Sequence, residues 1–154
     1  LIKPISPNYF NDKKRTSAII SLCALLNSLL PDSQPNEKIY QLYEKFLENI
    51  NLENWIYLYI FFEIDLVKEL GFDTNLKSYD NFIKKNEFFA KFEIDNYKYE
   101  VPTFLIKEIM PSDITESMIK KSLFFTRSIL LNKFFLPNNL IFPKSRIIFE
   151  NYFN

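Results

Sequence analysis

One stretch, Leu52 to Phe72, limits the folds open to this chain more than any other. Its first half, Trp55 to Phe62, is eight consecutive apolar or aromatic residues. Successive helical residues turn by about 100°, so this run covers every side of a helix and must be surrounded by protein. A membrane span needs roughly 18 apolar residues, and Glu63 and Asp65 interrupt the run well before that. The second half sorts by face. Asp65, Lys68 and Glu69 fall on one side, while Leu66, Val67 and Leu70 continue the apolar side. Glu63 is the exception, because helical spacing projects it between Ile56, Val67 and Leu70. Gly71 then tolerates the left-handed conformation that closes a helix. The stretch predicts a buried central helix with one carboxylate on its apolar side.

Composition narrows the chemistry. The 154 residues suit one domain with a real core. Lys and Arg number 19, as do Asp and Glu, so no global basic field draws in nucleic acid, and any such binding rests on local clusters. Histidine is absent, and there is one cysteine and one glycine. Those counts exclude Ser-His-Asp and Cys-His nucleophiles, Cys/His zinc sites and glycine-rich phosphate loops. Neither a metal nor a cofactor is predicted. A single cysteine also suits the reducing cytoplasm, the predicted location. The start at Leu1 rather than Met predicts the C-terminal part of a longer protein.

Taken in order, residues 1–12, with Pro4 and Pro7, read as a linker or docking arm, and residues 13–154 as a single helical domain. From Lys13 to Leu30, the set Ile19, Ile20, Leu22, Cys23, Leu26, Leu29 and Leu30 follows helical spacing, with Asn11 or Asp12 as cap and Pro31 as stop. This places Cys23 in the core as an inert thiol. After a turn at Pro31–Pro35, a helix from Asn36 to about Asn49 faces Ile39, Leu42, Tyr43, Phe46 and Leu47 inward, with Asn36 as N-cap. Past the central helix the period changes to two. Ala90, Phe92 and Ile94 alternate with Lys91 and Glu93, Tyr97–Val101 alternates likewise, and Asp95-Asn96 between them signals a tight hairpin over about residues 89–101. Thr103 caps a short helix to Met110. Asp113 with Glu116 forms a capping-box-like start for a long helix, Ile114 to Leu136, turned inward at Met118, Leu123, Ile129 or Leu130, Phe134 and Phe135. Ser145 to Phe153 is a last helix. The fold class is mainly α: a helical bundle around one buried central helix, with a small β-hairpin insert.

Several of these motifs occur together in a known family. Phe62-Glu63 followed by Leu70-Gly71-Phe72, the phrase LLPDSQPNEKIYQLYEKFL with Asp32 in its acidic position, the VPTFL element, and Phe125-Thr126-Arg127 with Lys144-Ser145-Arg146 stand in the order and near the spacing found in the C-terminal helical domain of RecO, the recombination mediator and DNA repair protein. The chain resembles that family along its length. The family's N-terminal OB-fold is not in the sequence, Tyr79 stands where the first zinc cysteine would fall, and Phe61 replaces a basic residue common before Phe-Glu. The hairpin would then replace the metal as local staple. The resemblance implies a non-enzymatic DNA repair and recombination mediator. Its implied partners are the acidic C-terminal tail of single-strand binding protein, RecR and single-stranded DNA (the DNA mostly through the OB-fold), with help in strand annealing and RecA loading. The alternative is a structural helical adaptor without a nucleic-acid role.

Candidate site residues follow from both readings. Four basic clusters, Lys13-Lys14-Arg15, Lys84-Lys85, Lys120-Lys121 and Lys144 with Arg146, read first as solvated faces. The resemblance favours Lys120, Lys121, Arg127, Lys144 and Arg146 as partner or DNA contacts. Lys120 and Arg127, seven apart, share a helix face. A groove beside the central helix and the Ile114–Leu136 helix is predicted to take the acidic tail, with Leu58, Phe61 and Phe125 lining an apolar pocket. Tyr40, Tyr43, Tyr57, Tyr59, Tyr97 and Tyr99 suit core and rim better than base stacking. Glu63 and Asp65 diverge by about 200° on a helix and cannot share a substrate, which argues against acid–base catalysis. Buried Glu63 requires a cation, with Arg127 the first choice and Arg15 the second.

Overall fold

The computed structural model describes residues 12–30, 36–84 and 87–154. The arm over residues 1–11, the Pro31–Pro35 turn, Lys85 of one basic cluster, and Asn11 as a cap lie outside them. Six α-helices run Lys13–Leu29 (α1), Glu37–Glu48 (α2), Trp55–Glu69 (α3), Thr103–Lys107 (α4), Glu116–Leu130 (α5) and Lys144–Asn151 (α6). A 3-10 segment spans Leu76–Phe82, and α5 continues as a π turn over Leu131–Phe135. Strands Phe89–Ile94 (β1) and Tyr97–Pro102 (β2) pair antiparallel, Phe92 opposite Tyr99 and Lys91 opposite Glu100. Asp95 and Asn96 both have positive φ, the tight-turn geometry their residue types favour. The chain is mainly helical with a small β insert, as its periodicities predict.

Helix α3 is the axis. Trp55, Ile56, Tyr59, Ile60, Phe62, Glu63, Leu66 and Val67 are buried. Helix α2 packs along one side and α5 along another, while α6 lies against α1. The α3 C-terminus closes as foreseen. Gly71 has φ 110°, and the Phe72 amide reaches back to the Val67 carbonyl at 2.9 Å. Asn36 caps α2 by accepting from the Ile39 amide, and Asp12 caps α1 by accepting from the Arg15 amide. The hairpin packs on α5 through aromatic edges: Phe92 and Tyr99 meet Phe125 at 5.8 and 5.2 Å between ring centroids, and Tyr79 meets Phe92 at 4.5 Å. Those contacts fasten the 3-10 segment, hairpin and α5 together. No helix among the described residues is long and apolar enough to cross a membrane.

Several local details differ from the sequence reading. The buried face of α1 is Ala18, Ser21, Leu22, Leu25 and Leu26, so Ile20 is exposed and Cys23 lies at the surface, its Sγ 2.8 Å from the Tyr43 hydroxyl. Helix α1 is apolar on more than one side, and docking against α6 selects the face. The α5 N-cap is Thr115, which accepts from the Met118 amide, rather than Asp113. Thr103 does not cap α4. Its hydroxyl instead donates to the Glu87 carbonyl, tying α4 to the strand entry.

Candidate functional sites: one buried network and two surfaces

Glu63 is fully buried and carries a bidentate ion pair, but its partner is Arg146 and not Arg127 or Arg15. Arg146 Nε lies 2.6 Å from Glu63 Oε2, and Nη2 lies 2.9 Å from Oε1. The Thr126 and Tyr59 hydroxyls donate to the two carboxylate oxygens at 2.7 and 2.9 Å. Arg146 also reaches the Leu123 carbonyl and Glu150. Among the described residues every fully buried side-chain polar atom has a partner. Burial alone would lower the Arg146 pKa, but the Glu63 carboxylate reverses this and holds it above the ordinary arginine value. Burial, reinforced by Glu63, pushes the Tyr59 hydroxyl well above its usual range. The whole network is core structure joining α3, α5 and α6.

Arg127 occupies the outer end of this network. It donates to Glu150 at 2.9 Å and lies over the Phe124 ring at 5.2 Å. Glu150 is thus shared by buried Arg146 and half-buried Arg127. The sequence could have located the buried cation. Arg146, Phe149, Glu150 and Phe153 form one helical face, and all four are buried.

The predicted tail groove does not form as one surface. Phe125 is completely buried between the hairpin and α5, and Arg146 has no exposed surface, so neither can meet a partner. Leu58 and Phe61 line a cleft on the opposite side of α3, against α2. It encloses about 160 Å³, with Leu42, Phe46 and Phe62 completing the apolar wall and Lys45 and Asp65 at the mouth. A shallower extension of about 420 Å³ adds Lys38, Lys68 and Glu69. Burial, with repulsion from Glu108, raises the Asp65 pKa. The sequence reading missed Lys38, Lys45 and Lys68; their signal was a spacing of four and three residues to Leu42 on α2 and of four to Ile64 on α3.

Lys120, Lys121 and Arg127 do come together, but with the hairpin. They line a groove of about 890 Å³ with Lys91, Lys98 and Glu100 from the strands. Glu100 accepts from Lys121 and Lys91, which hold its carboxyl below the usual range. Lys144 is exposed at the start of α6 and belongs to neither surface. Glu63 and Asp65 point into the core and the α2–α3 cleft respectively, and so share no site.

Comparison with known proteins divides the chain between these surfaces. Residues 11–79 match the family described as Recombination protein O C terminal. Over 78 residues the chain is 32% identical to a DNA repair protein RecO of Ehrlichia chaffeensis, covering 49% of this chain and 32% of that protein. The RecO of a Wolbachia from Drosophila simulans is 30% identical over 78 residues with the same two shares. That of Rhodospirillum centenum is 30% identical over 67 residues, 44% of this chain and 27% of the relative. These matches span about a third of the length of the curated relatives. No solved structure matches the chain. The α2–α3 cleft lies within the matched residues; the hairpin–α5 groove lies outside them.

Proposed function

The chain carries a RecO C-terminal domain, and on that premise we propose that it works in DNA repair and recombination as a non-enzymatic, partner-binding domain of a recombination mediator. Its partner is the acidic C-terminal tail of single-strand binding protein, held in the α2–α3 cleft. In the assembled mediator the same domain would meet RecR and assist single-strand annealing and RecA loading.

One observation carries the tail reading. Leu58 and Phe61 wall a cleft sized for one side chain, and Lys45, Lys38 and Lys68 stand along its mouth and extension. An acidic tail ending in an aromatic residue asks for that combination, an apolar socket beside cations. The cations here are lysines, which act as point charges and lack the fork of arginine. Affinity should therefore fall steeply with salt. Phe61 takes part as wall rather than as the family's cation, its ring 4.6 Å from Tyr57. The non-enzymatic reading is supported by the carboxylates: Glu63 is locked in the core network, and Asp65 stands apart from it.

Fluorescence anisotropy with a labelled acidic tail peptide tests the proposal. Binding at low salt should weaken at high salt, and should be lost when the terminal aromatic residue is deleted or when Leu58→Asp blocks the socket. No binding at low salt, or binding indifferent to the aromatic residue, would remove the cleft and leave a structural adaptor.

A further inference from the structure

Helix α6 is built inside out. Its charged residues Arg146 and Glu150 face the core with Phe149, while Ile147 and Ile148 face solvent at 44% and 55% exposure. The pairing with Glu63 accounts for the inward charges. No described element covers the outward isoleucines. Ile148 lies four residues from Lys144 and four from Tyr152, so the three form one stripe along the outer side.

The connection from α5 to α6 has the same character. Leu136 is 59% exposed and Ile141 89%, more than any other large apolar side chain among the described residues. The connection is nevertheless held by its own bonds. The Leu140 amide donates to the Phe135 carbonyl at 2.9 Å, and the Asn138 side-chain amide to the Phe134 carbonyl at 2.7 Å. Phe142 packs on buried Phe135, 5.0 Å between ring centroids. Consecutive residues thus point apart, Phe142 inward and Ile141 outward. An apolar group presented on an ordered segment loses little further freedom on association.

Charge selects the partner. A quarter of the chain's residues are charged, yet between residues 134 and 154 Lys144 is the only charged side chain at the surface. The exposed polar groups there include the neutral amides Asn138, Asn139, Asn151 and Asn154. An acidic peptide or a nucleic acid asks for several cations and would leave the isoleucines unmatched. A lipid surface takes apolar residues flanked by several Lys or Arg. A neutral face meets its own copy without opposing like charges, and each amide, being donor and acceptor at once, can pair with its twin. The cationic hairpin–α5 groove could not face itself in this way.

We infer that two copies of this chain associate as a twofold dimer through the outer face of α6 and the α5–α6 connection. Twofold symmetry requires one self-complementary patch on each copy, which this face supplies. It lies outside residues 11–79 and includes none of the residues lining the α2–α3 cleft. The dimer therefore does not rest on the tail reading.

Sedimentation velocity of the 154-residue chain from about 1 to about 300 µM tests this, because association follows mass action. The mass should rise from that of a monomer to twice that value and no further, since a closed twofold contact leaves no patch free. Sulfate should strengthen the dimer, as it favours apolar burial, and Lys144→Ala should leave it intact. Ile141→Asp combined with Ile148→Asp should raise the dissociation constant about thirtyfold or more, the effect of losing a buried anchor. The urea midpoint of the dilute monomer should not move, because both side chains are already exposed there. The same double variant should bind the acidic tail peptide like the wild type, which separates failure here from failure of the cleft. A monomer mass across the whole range would overturn the inference, as would a dimer that survives the double change or a mass that grows beyond two copies. Binding of a monomeric chain to vesicles of equal parts phosphatidylcholine and phosphatidylglycerol, lost in the double variant, would make the face a lipid contact instead.

Discussion

The α2–α3 cleft and the hairpin–α5 groove are built from opposite recipes. The cleft is narrow, apolar to its base, and has a carboxylate, Asp65, at its own mouth. The groove is about five times larger in volume, floored by rings that have been left exposed, and cationic along its walls. The surface inside the family-matched segment thus has the dimensions of a socket for one side chain, whereas the one outside it is a broad open groove. The two are not independent in folding. Glu63 of the cleft's own helix is held by Arg146, Arg146 by Glu150, and Glu150 by the groove's Arg127. What the contrast teaches is that one buried ion chain positions both surfaces while only its outer pair, Glu150 and Arg127, reaches either of them.

The sharpest way to break the comparison is at its common root. Arg146→Met leaves Glu63 as an uncompensated buried carboxylate, a class of change that typically costs about 3–5 kcal/mol. Urea denaturation should show a loss of that order, and tail binding should fail with it. Glu63→Gln in the same chain should recover part of the loss, because it removes the orphaned charge. Additive losses would show that the pair contributes separately to stability.

Gly71→Ala probes the cleft helix alone. A Cβ there meets open space, but φ 110° is a conformation that L side chains rarely adopt. The cost should be about 1–3 kcal/mol, from backbone strain only, measured as a shift of the denaturation midpoint with an unchanged m value. Tail binding should survive in whatever fraction stays folded.

Arg127→Ala sharpens the distinction between root and tip. Arg127 is partly exposed, and its buried partner Glu150 retains Arg146, so stability should fall by no more than about 1 kcal/mol. Tail affinity in the α2–α3 cleft should be unchanged, since Arg127 does not line it. A loss of several kcal/mol would mean that Arg127 belongs to the core network after all.

The smallest effect belongs to Asp65. Burial and Glu108 raise its folded pKa, so the stability that its protonated form contributes is fully present below the unfolded carboxylate value of about 3.9. That contribution is lost as pH rises through the higher folded value. The Asp65→Asn variant should therefore gain slightly on the wild type as pH rises through that window, compared by denaturation at each pH. At neutral pH it should also bind the acidic tail more tightly, since one anion has left the mouth. Unaltered tail affinity would place the peptide elsewhere.

Much of this was readable along the chain because it depends on spacing. The eight-residue apolar run required a surrounded helix, the period-two segments about Asp95-Asn96 required a hairpin, and the helical position of Glu63 required a buried cation. The identity of that cation was not readable. Arg127 and Arg146 both stand on C-terminal helices, 64 and 83 residues from Glu63, and the docking of α6 against α1 turns Arg146 inward. The sequence reading places Phe125 in a partner pocket with Leu58 and Phe61; the hairpin claims it instead, and its neighbour Phe124 faces out. Similarly, Cys23 and Ala18 both lie on apolar arcs of α1, and contact with α6 buried one and exposed the other.

By itself, then, the sequence determined the helices, the hairpin and its turn, the buried carboxylate, the lack of histidine chemistry and a resemblance to a repair family, which it placed along the whole chain and which the family match bears out over residues 11–79. These are properties of neighbours within about one or two turns of chain, where backbone geometry fixes which side chains share a face. Tertiary structure alone decided the partner of Glu63, the separation of Leu58 and Phe61 from Lys120, Lys121 and Arg127, and the meeting of those cations with Tyr97 and Phe124. Each depends on how one helix or strand rotates and crosses against another. Close packing settles that rotation through the whole core at once, and no local pattern encodes it.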